Sequence, residues 1–191
     1  MYVPVDRTKI GVAVADHPEG PFRDAIGKPL IDNEVMPKAG SEPIDPAVLQ
    51  DGNGKAYLYF GCGEAKVVKL DKSMTKLGGE LEDVVVLDGA GKPVPPSAGG
   101  GVMASPAEYA EAPFVFKRAG KYYFTYSDGW AADSTLAYAM GDNPMGPFTY
   151  AGKVMEHASC VTQHGSVVEY KGKWYVFYHT SELSEGNPFR R

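Results

Sequence analysis

Three residues occupy the same step of a recurring pattern. Asp45, Glu111 and Gln163 each stand nine residues before the glycine of a Gly-Lys turn, at Gly54, Gly120 and Gly172. Two of the three are carboxylic acids. A pair of carboxyl groups on rigid strands, surrounded by aromatic side chains, suits acid–base cleavage of a glycosidic bond, in which one carboxyl gives its proton to the leaving oxygen. That donor has to stay protonated near neutral pH, and partial burial beside a second negative charge pushes a carboxyl in that direction. The same two residues equally suit strand caps or partners for local lysines, and the pattern alone leaves both readings open.

The positioning elements are strands of an internal repeat. Ile44–Gly61 (IDPAVLQDGNGKAYLYFG), Glu111–Gly129 (EAPFVFKRAGKYYFTYSDG) and Gln163–Ser181 (QHGSVVEYKGKWYVFYHTS) each read as a short apolar strand, a turn ending in Gly-Lys, and an aromatic strand. Such a hairpin calls for positive φ at its glycine. A second repeat interleaves with the first: Ile10–Phe22 (IGVAVADHPEGPF) matches Leu136–Phe148 (LAYAMGDNPMGPF), a strand entering a D-x-P-x-G-P-F turn. Joined in order, the two make a four-stranded antiparallel blade, and blades repeated around an axis make a β-propeller. A β-sandwich also has short strands and frequent turns, but it does not require strand pairs recurring in register. In a propeller the innermost strands line one channel, so Asp45 and Glu111 are expected at a single axial mouth.

At about 40–50 residues per blade, the expected architecture is all-β, an incomplete propeller of roughly three and a half blades. Its divisions are residues 1–35 (the outer half of a blade), 36–100 and 101–157 (one blade each) and 158–191 (the inner part of a last blade). Composition agrees with this. The 191 residues include 23 Gly and 15 Pro, 12% aromatics and 43% hydrophobics, a profile of turns and half-buried strands rather than of disorder or long helices. One short helical turn at Ala104–Ala110 is the exception expected. A net charge of −5 with no Lys/Arg stripe argues against a nucleic-acid partner. No apolar run approaches the roughly 20 residues of a membrane span. Cys62 and Cys160 could form at most one bridge. The start MYVPVDRTKI has no signal-peptide core, so the reading is a cytoplasmic protein or part of a longer, secreted one.

Taken together, IDPAVLQDGNGKAYLYFG, EAPFVFKRAGKYYFTYS, DNPMGPF and GNPFRR resemble glycoside hydrolase family 43, over nearly the whole chain from about Ile10. The resemblance implies a five-bladed propeller fold and hydrolysis, with inversion, of xylosidic or arabinofuranosidic bonds in hemicellulose-derived oligosaccharides. It casts Glu111 as the general acid and Asp45 as the modulator that orients the acid and favours its protonated form. His164 matches a histidine near the channel axis, which also contacts substrate and where some members hold a calcium ion through water; no other cofactor is required. Arg190 or Arg191 matches an arginine reaching the sugar. Trp130, after Ser-Asp-Gly at a strand end, suits stacking on a sugar ring, and Phe114 alternates along the inner strand so that one parity faces the channel.

One departure matters. Family members carry a third carboxylate, the general base, on the inner strand of their first blade, and an inverting enzyme needs it roughly 6.5–9.5 Å from the acid. Asp6 precedes the first recognisable strand, and Asp16 sits in a turn whose copy at Asp142 marks it as structural. The expectation is therefore impaired hydrolysis. A non-catalytic propeller that binds sugar or assembles with itself is the alternative. Open propeller edges expose apolar sheet faces, which predicts a homo-oligomer.

Three other signals are set aside. His157, Cys160 and His164 have a zinc-like spacing but lack a fourth ligand. The Gly-rich stretches lack the phosphate-loop spacing, and no G-x-S-x-G elbow supports a serine nucleophile. Trp174, Tyr175 and Tyr178 are expected to pack between blades. Gly91–Ala107 reads as a long loop beside the strand of Glu111.

Overall fold

The computed structural model describes residues 1–37, 40–95, 105, 107–129, 134–160 and 163–185. Trp130, Arg190 and Arg191, most of the 91–107 loop and part of the 104–110 turn lie outside the described residues. Four antiparallel sheets follow one another along the chain. The first holds β1 (Tyr2–Val5), β2 (Lys9–Val14), β3 (Arg23–Asp24) and β4 (Ile31–Asp32), with β2 central. The second runs in order through β5 (Ala47–Gln50), β6 (Ala56–Phe60), β7 (Lys66–Leu70) and β8 (Glu82–Asp83). A short strand, β9 (Val86–Leu87), then crosses over. The third sheet is β10 (Glu111–Arg118), β11 (Lys121–Ser127), β12 (Leu136–Gly141) and β13 (Phe148–Met155), and β9 joins its outer edge in parallel. The fourth is the hairpin of β14 (Gly165–Tyr170) and β15 (Lys173–Tyr178). The only helical pieces among the described residues are two single 3-10 turns.

Each sheet packs face-on against the next, and the cores are those contacts. Ile10 and Ile31 of the first sheet meet Leu58, Phe60 and Val68 of the second. Tyr57, Tyr59 and Val67 on the other face of the second sheet meet Val115, Phe124, Tyr126 and Phe148 of the third. Phe116 of the third lies 5.3 Å from Trp174 of the fourth, ring centre to ring centre. Strands with both faces covered read as unbroken apolar runs instead of alternating ones, and β6 (AYLYF) is buried along its whole length. The arrangement is an incomplete β-propeller: a succession of stacked sheets whose innermost strands, β5, β10 and β14, lie side by side.

The turn chemistry follows the repeats. Gly54, Gly120 and Gly172 have φ of 79°, 81° and 74°, where an L side chain would be strained. The two D-x-P-x-G-P-F turns are copies down to the cis Gly20–Pro21 and Gly146–Pro147 bonds. The second and third sheets are also latched by Asp51 in the β5–β6 turn. Its buried carboxylate accepts from the Tyr122 hydroxyl at 2.6 Å, the Lys117 ammonium at 2.9 Å and the Gly52 N–H at 2.8 Å. Burial alone would raise this carboxyl's pKa, but the bonds from Tyr122, Lys117 and Gly52 outweigh it and hold the group below the ordinary range.

Two aromatic expectations need correction. Both Val115 and Phe116 pack against neighbouring sheets, so the alternating faces of β10 look at other sheets rather than at the channel. Phe114 is half-buried and shares the parity of Phe116. It is strand ends, not strand faces, that reach the hollow. Trp174 packs between sheets, whereas Tyr175 is exposed because the face it shares with Phe177 is uncovered, and Tyr178, although on the Trp174 face, is exposed as well.

Candidate active site

At the inner ends of β5, β10 and β14 the chain brings three functional side chains together: Asp45, Glu111 and His164. Their ligand-type atoms all lie within 4.8 Å of one another. His164 Nε2 is 3.4 Å from Glu111 Oε1 and 3.9 Å from Asp45 Oδ2. Glu111 is the buried member, with 8% of its side chain exposed, while Asp45 and His164 are half-buried.

The local backbone is built to do this. The β10–β11 ladder pairs Glu111 with Ser127 but then Phe114 with Thr125, so one extra residue is accommodated between them. Such a bulge re-aims side chains and is common next to active sites. Ala112 within it has φ of 60° and Asp45 has φ of 54°, left-handed conformations that ordinary strand residues avoid. The two features meet, since the Ala112 N–H donates to Asp45 Oδ2 at 3.2 Å. Asp45 is thereby fixed to the backbone beside Glu111.

Counting back nine residues picks Gln163 in the fourth sheet, and the structure picks His164 instead. The reason is register. The β5–β6 turn holds one more residue than the Lys171-Gly172 turn, and β10 holds one more in its bulge; β14 pairs with β15 without a break from Gly165↔Tyr178 to Tyr170↔Lys173. The equivalent position is therefore eight residues back. Gln163 itself is fully buried, its side-chain amide donating to Cys160 Sγ at 2.6 Å. Gly165 lets this strand end come close, because a Cβ there would stand 2.5 Å from Leu136 Cδ2.

The zinc-like set disperses. His157 Nδ1 lies 3.2 Å from the Ser134 carbonyl, and the Cys160 thiol donates to the His179 carbonyl at 3.3 Å. Among the described residues the only metal-capable cluster is Asp45, Glu111 and His164. Calcium takes six to eight oxygen ligands. Here one donor is a ring nitrogen, and Asp45 Oδ2 is already engaged by Ala112, so the cluster does not fit a calcium ion held directly by these side chains. Asp6 is exposed in the β1–β2 turn and Asp16 faces Arg23 at 3.7 Å; neither joins the cluster.

Sequence reasoning missed the groups around the site. Arg7, from the β1–β2 turn, pairs with Glu42, whose backbone bonds to Cys62 in both directions. Cys62 is buried beside the acids. Its thiol is pushed up to about 12 by burial first, then by the negative charge of Glu111, Glu42 and Asp45, with Arg7 opposing. Tyr109, two residues before the acid, is buried and donates its hydroxyl to the Gly61 carbonyl. No pattern of residue types marks these roles.

Comparison with known proteins gives the family and the fold. The sequence pattern of "Glycosyl hydrolases family 43" matches residues 1–191. A xylosidase/arabinosidase of Bacteroides ovatus is 38% identical over 100% of this chain and 63% of its own length. A beta-xylosidase of Xylanibacter ruminicola is 38% identical over 89% of this chain and 56% of its own. The crystal structure of a beta-xylosidase/alpha-arabinofuranosidase from a compost microbial metagenome, in complex with xylotriose and calcium-free, superposes with a TM-score of 0.78 at 32% identity, covering 94% of this chain and 59% of that one. The chain thus spans less than two thirds of the length of each of these proteins.

Proposed function

The chain belongs to glycosyl hydrolases family 43, and we propose that it acts in the hydrolysis of xylosidic or arabinofuranosidic bonds in hemicellulose-derived oligosaccharides, with inversion at the anomeric carbon. The observation that carries the reading is the meeting of Glu111, Asp45 and His164 at the inner ends of three successive sheets, within 4.8 Å. Glu111 is the general acid, giving its proton to the leaving oxygen. Asp45, anchored by the Ala112 N–H, stands beside the acid as the carboxylate that orients it. His164 faces both carboxylates and orients the acid toward the sugar; the calcium role that the resemblance gives it, through water, enters no step here. Trp130 and Arg190 are the residues proposed to contact the sugar, as the sequence reading has them; Phe114, which shares the Phe116 face, is left out of that set. Xylotriose bound to the compost enzyme supports an oligosaccharide ligand.

Inversion also needs a base carboxylate to activate water on the opposite face. Neither Asp6, exposed in the β1–β2 turn, nor Asp16, in the D-x-P-x-G-P-F turn, stands on an inner strand, and the expectation is that hydrolysis by these 191 residues alone is weak. The exposed aromatic face of β14–β15 favours a second property, self-association, which size-exclusion chromatography with light scattering measures directly.

The test is hydrolysis of 4-nitrophenyl β-xyloside, 4-nitrophenyl α-arabinofuranoside and xylobiose, followed by proton NMR to identify the anomer released. Removing a general acid costs about 10²–10⁴-fold, and Glu111→Gln should lose that much on xylobiose. Equal rates for wild type and Glu111→Gln on every substrate would falsify the assignment.

A further inference from the structure

We propose that Tyr109 is a positioning residue for Glu111, acting through its hydroxyl bond to the Gly61 carbonyl; the inference rests on Glu111 as the proton donor and deepens it. The segment carrying the acid is tied to the neighbouring second sheet on both sides of Glu111. Before it, the Tyr109 hydroxyl donates to the Gly61 carbonyl, and the Ala110 carbonyl accepts from the Gly63 N–H at 2.7 Å. After it, the Ala112 N–H donates to Asp45 Oδ2 at 3.2 Å. Glu111 sits between these ties, its backbone paired with Ser127 of its own sheet and its carboxyl facing His164.

The anchor of the Tyr109 tie is itself immobile. Gly61 has φ of 125°, and a Cβ there would stand 2.0 Å from the Glu64 carbonyl oxygen, so the chain closes on itself at that point. The Tyr109 ring is wedged against Phe124 and Tyr126, with ring centres 5.9 and 5.7 Å away. A phenylalanine would fill the same space. What it would lose is one of the three bonds that tie the acid's segment to the second sheet, the one made by a side chain just ahead of the bulge. General-acid catalysis is sensitive to such shifts, since misplacement by about 1 Å costs up to 10²-fold. The hydroxyl is held neutral by burial first, reinforced by the nearby Asp45 carboxylate, so it serves as a donor.

The experiment compares Tyr109→Phe with Tyr59→Phe. Tyr59 is fully buried in the same core and donates its hydroxyl to the Pro144 carbonyl at 2.5 Å, on the far contact with the D-x-P-x-G-P-F turn. Xylobiose needs a proton on its leaving oxygen, whereas 4-nitrophenyl β-xyloside leaves with little help. In Tyr109→Phe, kcat on xylobiose should fall about tenfold with KM nearly unchanged, while kcat on the nitrophenyl glycoside falls less than about threefold. Tyr59→Phe should lower Tm comparably and leave the ratio of the two substrates unchanged. Equal losses on both substrates in Tyr109→Phe, or the same change of ratio in Tyr59→Phe, overturns the proposal.

Failure of the wild type to cleave any of the glycosides would instead count against the catalytic reading. Positioning is then decided by carbon-13 NMR of the Glu111 carboxyl, which lies 3.4 Å from His164. Tyr109→Phe should shift or broaden that resonance, and Tyr59→Phe should leave it in place. An unmoved resonance in Tyr109→Phe, or the same change in Tyr59→Phe, overturns the proposal.

Discussion

Strands β11 (KYYFTYS) and β15 (KWYVFY) are nearly the same text, yet they meet opposite environments. In β11, Phe124 and Tyr126 are completely buried; in β15, Phe177 is 61% and Tyr175 43% exposed. Both follow a Gly-Lys turn, both pair in register with an inner strand, and both present aromatics to either side. The difference is the neighbour. The second and third sheets cover each other, whereas β15 is covered on one face only, by Phe116 against Trp174. In a stack of sheets, burial is a property of adjacency, and a repeat specifies the strand without specifying what lies against it. Asp45 and Glu111 both come from the covered pair.

The comparison can be broken most forcefully in the core. Phe124→Ala should destabilise by about 3–5 kcal/mol in denaturant titration, and Phe177→Ala by no more than about 0.5 kcal/mol. Similar losses for the two would mean that the outer face of β15 is covered in solution. Next in size is the site itself. Asp45→Asn removes the charge anchored on Ala112 and should lower kcat on xylobiose about 10²-fold, with a smaller, roughly tenfold, loss for His164→Ala, whose strand is less firmly packed.

A third expectation concerns pH and the latch between the covered sheets. Asp51 is held below its ordinary pKa in the folded chain, so its stabilisation is fully present above about pH 4, the unfolded carboxylate value, and is lost as pH falls through the lower folded value. Thermal unfolding across that acidic window should be less steeply pH-dependent in Asp51→Asn than in wild type. The smallest effect is expected for Phe177→Lys. It should leave Tm within a few degrees and shift the light-scattering mass toward the monomer; an unchanged mass would place self-association elsewhere.

Much of this was legible in the residues because repeats transmit geometry. Glycines at 54, 120 and 172 foretell their positive φ, and the shared step of Asp45 and Glu111 foretells that their strands end in the same hollow. Legibility stops where counting meets register. One extra turn residue before Gly54 and one bulged residue after Glu111 offset each other's comparison, while β14 has neither, so His164 displaces Gln163 at the equivalent step. Tyr109 was invisible for another reason: its role lies in a single hydroxyl bond to a carbonyl 48 positions away, and an apolar-looking position carries no sign of that. The exposure of Tyr175 was hidden because alternation names two faces without naming which one is covered.

Strand β9 has a consequence for how Asp45 and Glu111 are held together. The link leaving the second sheet is itself sewn into the outer edge of the third, Val86 beside Phe148 and Leu87 beside Thr149. A seam at the rim and the Asp45–Ala112 bond at the hub fasten the same two sheets at opposite ends. They should therefore melt as a single cooperative block, and a cut or insertion near residue 86 would loosen a proton donor lying far from it at the centre.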